Sequence, residues 1–455
     1  TRPPKQANTN KTHCVSMGVK GLLALVRQAL RPIPSKSFAK ALSAFPLRPV
    51  PPRSLGHAAL GPERILEGRS RAVGVDASGW LFRGAYALSH QLLENDQINV
   101  EHMADYLMLR VNQLRSIGVR PLLVFDGASL PMKSLVITER RTRRLAMEEK
   151  ATTLLEQGQR EEAMVYLKRS TSVTPAMVQA VLKRLCHEDV EFCVAPYEAD
   201  PQLVHLARLG LINCILSDDS DLMVFGAPRV LFKFNGGSGV LAEQEKILTH
   251  LDQIPVSSIP KTWNGSRGQL ERRTEEWENF ATFPTALMEL EDVSIDTNDK
   301  ASFTLSLLRN SAILAGCDYL PGLPNVGVRR AIALFQLHGT PATVIERLTD
   351  GGLTIPNPEG YLALFRAAQA SFMHQLVFDP FLNQQIHLNP LLSEQHTVAV
   401  SEVVGTPQSS EIASKMFYGE YCSRARKPFA NMPDNHRAER NAFHQSVEEL
   451  SAGLN

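Results

Sequence analysis

The stretch INCILSDDSDLMVFG, Ile212 to Gly226, runs from apolar residues into three aspartates and straight back into apolar sequence. A short apolar run that stops at turn-forming residues reads as a buried strand. Three other stretches share this form: RAVGVD ends at Asp76, RPLLVFD ends at Asp126, and VEFCVAP leads into Glu198 and Asp200. A fifth run, RVLFKF, follows them. Amphipathic helical patterns lie between the strands, an alternation that implies an α/β fold with a mostly parallel, twisted sheet flanked by helices.

The strands of a parallel sheet end on one edge, the edge where α/β proteins bind their ligands. The acids at these strand ends therefore converge. A single Asp after a strand is ordinarily a helix N-cap or a turn former, but here the pattern repeats on four strands. Carboxylates packed together repel and resist ionisation, and divalent cations relieve that repulsion. Oxygen ligands without His or Cys select Mg²⁺, with Mn²⁺ able to substitute. Two such ions roughly 4 Å apart suit an in-line phosphoryl displacement. A haloacid-dehalogenase type phosphatase uses similar ingredients, but it needs a second Asp two residues after the first strand's Asp, and VDASGW lacks it.

A chain of 455 residues, 44% hydrophobic and 21% charged, has material for two or three globular domains. No apolar run approaches the roughly 20 residues of a membrane helix, and no membrane partner is expected. The six cysteines form no Cys-x-x-Cys pair, which fits a reducing compartment without a zinc site. A formal charge of +1 hides an uneven distribution, because no Asp or Glu precedes Glu63. That acid-poor start fits either an organelle transit peptide or a disordered extension. Residues 1–16 read as an extension, 17–251 as an α/β core with an insertion at about 34–68 and a charged helical stretch at about 128–175, and 252–300 as a flexible insertion. Residues 301–390 continue the core, and 391–455 read as a polar, weakly patterned tail. The stretch AMEEKATTLLEQGQREEAMVYLKRS reads as one solvent-exposed helix, and ASFTLSLLRNSAILAG and GVRRAIALFQLHG as two more.

Six motifs in order, MGVKGLLALV, VGVDASGWL, LLVFDGASLPMK, APYEADPQL, SDDSDLMVFG and LAGCDYLPGLPNVGVRRA, resemble the flap endonuclease and exonuclease 1 group of 5′ structure-specific nucleases in the XPG superfamily. The resemblance implies a PIN-like core, a helical arch and a helix-two-turn-helix element that grips duplex DNA with a K⁺ ion. It places Asp76, Asp126, Glu198 and Asp200 at a first metal and Asp219, Asp221 and Asp318 at a second. Asp218 is left as a solvated turn residue. Lys133 and Arg140 match the basic positions facing the scissile phosphate, and Arg141, Arg143 and Arg144 extend that basic face. Phe82 stands where relatives stack a nucleobase, the other reading being a core residue. Gly322 and Gly327 imply close approach of backbone to phosphate, with Arg329 and Arg330 as charge contacts.

The stretch ASFMHQLVFDPFLNQQIHLNPL resembles the exonuclease 1 branch. The implied activity is a Mg²⁺-dependent 5′ to 3′ double-stranded DNA exonuclease with 5′-flap endonuclease activity, in DNA repair or recombination. The alternatives are a replicative flap endonuclease and a catalytically impaired DNA-binding relative. The implied partners are duplex DNA with 5′ ends, nicks, gaps or flaps, and mismatch-repair proteins. A monomer in the nucleus is expected, with mitochondrial targeting as the other location. Gly18 is expected near the active site.

Overall fold

The computed structural model describes residues 18–34, 72–95, 97–254, 299–355, 357–391, 396–422, 424 and 426–429. The expected extension at 1–16, nearly all of the insertion at 34–68, most of the one at 252–300 and the tail beyond residue 429 lie outside the described residues. No helix among the described residues is long and apolar enough to cross a membrane.

The main sheet contains β1 (Arg31–Ile33), β2 (Ala72–Asp76), β3 (Arg120–Phe125), β4 (Glu191–Val194), β5 (Cys214–Leu216), β6 (Arg229–Asn235) and β7 (Ser238–Glu243). Their order is β1-β7-β6-β5-β2-β3-β4. From β6 through β4 the neighbours pair in parallel, and β7 and β1 add an antiparallel edge. The mostly parallel α/β sheet expected from the sequence is thus present, and all five runs of sequence named above form strands in it. Two strands escaped the reading. β7 is a short apolar run following Gly236 and Gly237, both at positive φ, which turn the chain back on β6. β1 has only three residues.

β2 is buried along its whole length and β5 likewise, as central strands covered on both faces must be. On one face they pack against α1 (Ala77–Leu88), α2 (Val100–Ser116) and, further along the chain, a helix at Pro175–His187. The sequence reading of one helix over 146–170 is corrected. α3 (Ser134–Glu156) and α4 (Arg160–Ser170) are separate helices. Gly158 adopts φ 74, its amide reaches Leu155 O and the Gln159 amide reaches Leu154 O. This paired Schellman bonding ends a helix, and the opposite charges along the exposed faces conceal the break.

α5 (Pro175–His187) leads to β4, and α6 (Ala199–Arg208) and α7 (Asp221–Phe225) follow β4 and β5. α8 (Gln244–Asp252) closes this half. Beyond the undescribed insertion, α9 (Lys300–Ala315), α10 (Val328–His338), α11 (Pro341–Asp350) and α12 (Pro358–His374) build the core on the other sheet face. A hairpin of β8 (Leu376–Asp379) and β9 (Gln384–His387) ends this run.

The polar tail expected from residue 391 is also corrected, because its first part is folded. α13 (His396–Val404) and α14 (Ser410–Phe417) bury Val400, Val403 and Phe417, and the Phe417 ring stacks on Phe378 at 4.5 Å. Ser409 caps α14 through the Ile412 amide. A small hairpin, β10 (Tyr421–Cys422) with β11 (Lys427–Pro428), ends the described chain. The apolar residues here are too few to show a period, yet α13 is buried against α12 and the turn at Pro131–Lys133, and α14 against β8 and β9.

Candidate active site

The parallel strands end on one edge, and chain order reverses there: β3 and β4 lie on one side of β2, β5 and β6 on the other. A crevice at such a switch point is where open α/β sheets bind ligands. Asp76 ends β2 and caps α1, accepting from the Ser78 and Gly79 amides at 3.0 and 3.3 Å, while Ser217 Oγ donates to its other oxygen at 2.9 Å. Asp126, just past β3, accepts from Ser78 Oγ at 2.6 Å and from the Ala199 amide at 2.9 Å. The N-cap role and the edge role therefore coincide in Asp76.

Glu198 lies before α6 and is held from three sides. Tyr319 Oη donates to Oε2 at 2.5 Å, Gln375 Nε2 donates to the same oxygen at 2.9 Å, and Lys133 Nζ donates to Oε1. Gln375 also donates to Tyr319 Oη at 2.8 Å, and its own Oε1 is buried without a partner among the described residues. Asp219 accepts from the Asp221 amide at 2.8 Å. Asp221 in turn accepts from the Val19 amide at 2.8 Å, so the segment after Gly18 packs against the acids as expected. Gly18 has φ 81, and a Cβ on it would lie 2.3 Å from Asp219 Oδ1. Asp318 receives Lys133 at 3.1 Å and Arg140 at 3.3 Å.

The electrostatics join all seven acids. Burial, then the neighbouring Asp126, pushes the Asp76 carboxyl up to about 6. Burial and the charges of Asp76 and Asp318 push Asp219 up to about 7, against the bond from the Asp221 amide. Asp200 is raised well above the usual range by burial and then by Asp219, Asp76, Glu198 and Asp126. Asp221 is raised by burial and then by Asp219 and Asp318. Asp318 departs from this pattern: burial would raise it, but Lys133 and Arg140 outweigh burial and hold it below the ordinary value. Burial also works against the Lys133 charge, and Glu198 and Asp318 overcome it.

Among the described residues no three acids or imidazoles already stand as a finished metal cage. The donor set nevertheless fits hard divalent cations. Every donor is a carboxylate oxygen, and four of these carboxyls resist ionisation for want of compensating charge. For K⁺, Ala315 offers no side-chain oxygen, so backbone carbonyls would have to serve; Leu320 O and Leu323 O in the loop before α10 each accept one amide and keep a second lone pair.

The remaining sequence candidates divide. Phe82 on α1 is 49% exposed, which excludes the core reading. Arg140, Arg141 and Arg143 are exposed on α3, with Arg144 half-buried. Arg329 is exposed at the start of α10, while Arg330 donates to Asn325 O at 2.8 Å. An added Cβ at Gly327 meets open space, whereas one at Gly322 would lie 2.1 Å from Ala315 O. Internal packing alone thus demands glycine at 322. Asp218 is not a solvated turn residue. It pairs with Arg83 at 2.5 Å and accepts from the Lys233 amide at 2.7 Å, holding Lys233 at φ 54. The sequence reading missed Tyr319, Gln375, Ser78 and Ser217 as partners of the acids. Tyr319 directly follows Asp318, Ser217 directly precedes Asp218 and Ser78 lies two residues after Asp76, so among the four Gln375 alone carries no local signal.

Comparison with known proteins gives two family models: the XPG N-terminal domain over residues 55–147 and the XPG I-region over 189–318. Exonuclease 1 of Xenopus laevis is 30% identical over 82% of this chain and 41% of its own length. Exonuclease 1 of Oryza sativa subsp. japonica is 32% identical over 70% and 33%. The chain thus spans about two fifths or less of these curated relatives. Among solved structures, the catalytic core of Rad2 in complex with DNA substrate aligns over 96% of this chain and 100% of that one, at 17% identity and TM-score 0.44.

Proposed function

Because the chain belongs to the XPG family, carrying its N-terminal domain and its I-region, we propose that it is a Mg²⁺-dependent 5′ to 3′ exonuclease on double-stranded DNA with 5′-flap endonuclease activity, acting in DNA repair or recombination. The supporting observation is the meeting of Asp76, Asp126, Glu198, Asp200, Asp219, Asp221 and Asp318 at one sheet edge, with Lys133 and Arg140 beside them. Asp76, Asp126, Glu198 and Asp200 would hold a first ion, and Asp219, Asp221 and Asp318 a second. When bound, the pair supplies an activated water and neutralises charge at the leaving oxygen.

The protein's own groups do the rest. Lys133 and Arg140 are fixed cations, one half-buried and one exposed, that face the phosphate and stabilise its developing charge. Lys133 now bonds Glu198 and Asp318, so it keeps its charge in place until a phosphate arrives. Phe82 offers an exposed ring to a base. The N-terminus of α10, with Arg329, holds the duplex by its backbone. Mismatch-repair proteins as partners, a nuclear location and a K⁺ ion near α10 belong to the same proposal.

The test is cleavage of a 5′-recessed duplex and of a 5′-flap, with Asp219→Ala as control. We expect Mg²⁺-dependent release of 5′ nucleotides by the wild type and loss of about 10²-fold or more in the variant, since each aligned electrostatic contact at the transition state is worth that much. Equal activity in Asp219→Ala would falsify the site assignment. Binding without any metal-dependent cleavage would leave the impaired relative as the better reading, and strong flap preference the flap endonuclease.

A further inference from the structure

Beyond β3 and β4 the two loops that follow them stay joined. The Ala195 amide donates to Phe125 O at 2.8 Å, the Gly127 amide to Tyr197 O at 2.6 Å and the Ala128 amide to Pro196 O at 3.0 Å. A Cβ at Gly127 would lie 1.9 Å from Ala195 O, so backbone meets backbone along this joint. Asp126 adjoins Gly127 and Glu198 adjoins Tyr197, while Lys133 follows in the first loop and reaches Glu198 in the second. Whatever fixes Tyr197 therefore fixes the spacing of these two acids.

The folded C-terminal segment holds Tyr197 from outside the site. α13 ends at Gly405, whose amide bonds Ser401 O at 2.8 Å and whose φ of 84 turns the chain out of the helix. A Cβ on Gly405 would lie 1.9 Å from Tyr197 Oη and 2.2 Å from Cζ, so the phenol ring rests on bare backbone that only glycine leaves open. The Thr406 amide interacts with the same hydroxyl. On the other loop, α13 packs against the turn at Pro131–Lys133, and Arg424 Nε donates to Gly127 O at 3.0 Å. One segment thus grips both loops. We propose that Tyr197, seated on Gly405, is a positioning residue that holds Glu198 and Asp126 at the spacing a divalent cation needs, so that metal affinity is set in part from the end of α13. The inference rests on the nuclease reading and deepens it. A carboxylate ligand is only as well aimed as the backbone and partners behind it, and loosening such support costs about 10- to 100-fold in metal affinity.

The test reads Mn²⁺ affinity from the paramagnetic resonance of the free ion, with no cleavage involved. Tyr197→Ala and Gly405→Ala should each weaken Mn²⁺ binding by about tenfold. The double variant should bind no more weakly than Tyr197→Ala alone, because Gly405 acts through the ring. Tyr197→Phe keeps the ring and should bind Mn²⁺ as the wild type does. Leu114→Ala, a buried deletion on α2 beside the opposite end of β3, should lose stability and keep its Mn²⁺ affinity. Wild-type affinity in either alanine variant of the pair overturns the proposal, as do effects that multiply in the double variant or an equal loss of affinity in Leu114→Ala. Should Gly405→Ala not fold, the contrast between Tyr197→Ala and Tyr197→Phe decides alone. On a 5′-recessed duplex, Tyr197→Ala should raise the Mg²⁺ needed for half-maximal cleavage and leave KM for DNA unchanged; the reverse pattern overturns the proposal. A wild type that binds Mn²⁺ yet cuts no DNA would sink the nuclease reading, while the Mn²⁺ titrations still decide the role of Tyr197.

Discussion

Glu198 shows how much of a site depends on groups that carry no catalytic signature. Its Oε2 takes bonds from Tyr319 and Gln375, and the amide oxygen of Gln375 is left buried and unpaired among the described residues. Replacing Gln375 by Leu removes both of its donated bonds and leaves the Tyr319 hydroxyl and Glu198 short of a partner. The expected cost is about 1–3 kcal/mol of stability, the penalty for stranding a buried polar group, together with weaker Mn²⁺ binding. Chemical denaturation and a Mn²⁺ titration read the two separately; undiminished Mn²⁺ affinity would show that Gln375 does not orient Glu198. Six of the seven acids were legible because they follow apolar runs at strand ends, whereas Asp318, after α9, came only from the resemblance. Gln375 was not legible, since nothing local ties a glutamine before LVFD to a glutamate 177 positions earlier. Asp218 misled for the opposite reason: it sits inside the most acidic motif, yet its partners are Arg83 and a backbone amide on β6.

At the scale of elements, the four strand ends make a collective charge that no single strand would carry. Asp76 and Asp219 keep their protons up to about 6 and about 7. The unfolded chain releases the same protons near pH 4. Between those limits the folded state binds more protons, so the stability of the metal-free protein falls as pH rises from about 4 to about 7. Asp318, held low by Lys133, has its own effect only below that window. Melting in EDTA should therefore be lower at pH 8 than at pH 5, and Mg²⁺ should raise it far more at pH 8. A melting temperature in EDTA that climbs across this range would contradict the burial of uncompensated acids. The parallel strands were legible from composition and spacing. β1 was too short to show a pattern, β7 opens on Ser238 and Gly239 with only Val240, Leu241 and Ala242 apolar, and the break between α3 and α4 depended on the left-handed conformation of Gly158 within an otherwise continuous helical pattern.

Across the whole molecule, two apolar cores sandwich the sheet, and the segment after residue 391 seals one of them. Phe417 stacks on Phe378 and meets Tyr418 edge-on at 5.2 Å. Phe417→Ala should cost about 3–5 kcal/mol, the range for deleting a buried aromatic ring. Phe82→Ala, on an exposed ring, should stay within about 0.5 kcal/mol. Denaturant midpoints of the two variants decide the matter, and comparable losses would mean that the C-terminal helices do not belong to the core. The sequence read this region as a tail because burial there is tertiary: its apolar residues find their partners on α12, on the turn at Pro131–Lys133 and on β8, not along their own helices. The same long reach governs when the site comes into being. The Val19 amide serves Asp221 across 202 positions, and Gln375 serves Glu198 across 177. Contacts of such separation form late, after the entropy of closing long loops has been met. A growing chain on the ribosome has every acid in place well before Gln375 emerges, yet it lacks the clasp that orients Glu198. The acidic edge is therefore complete only once Gln375 has been added, well after the last of its acids.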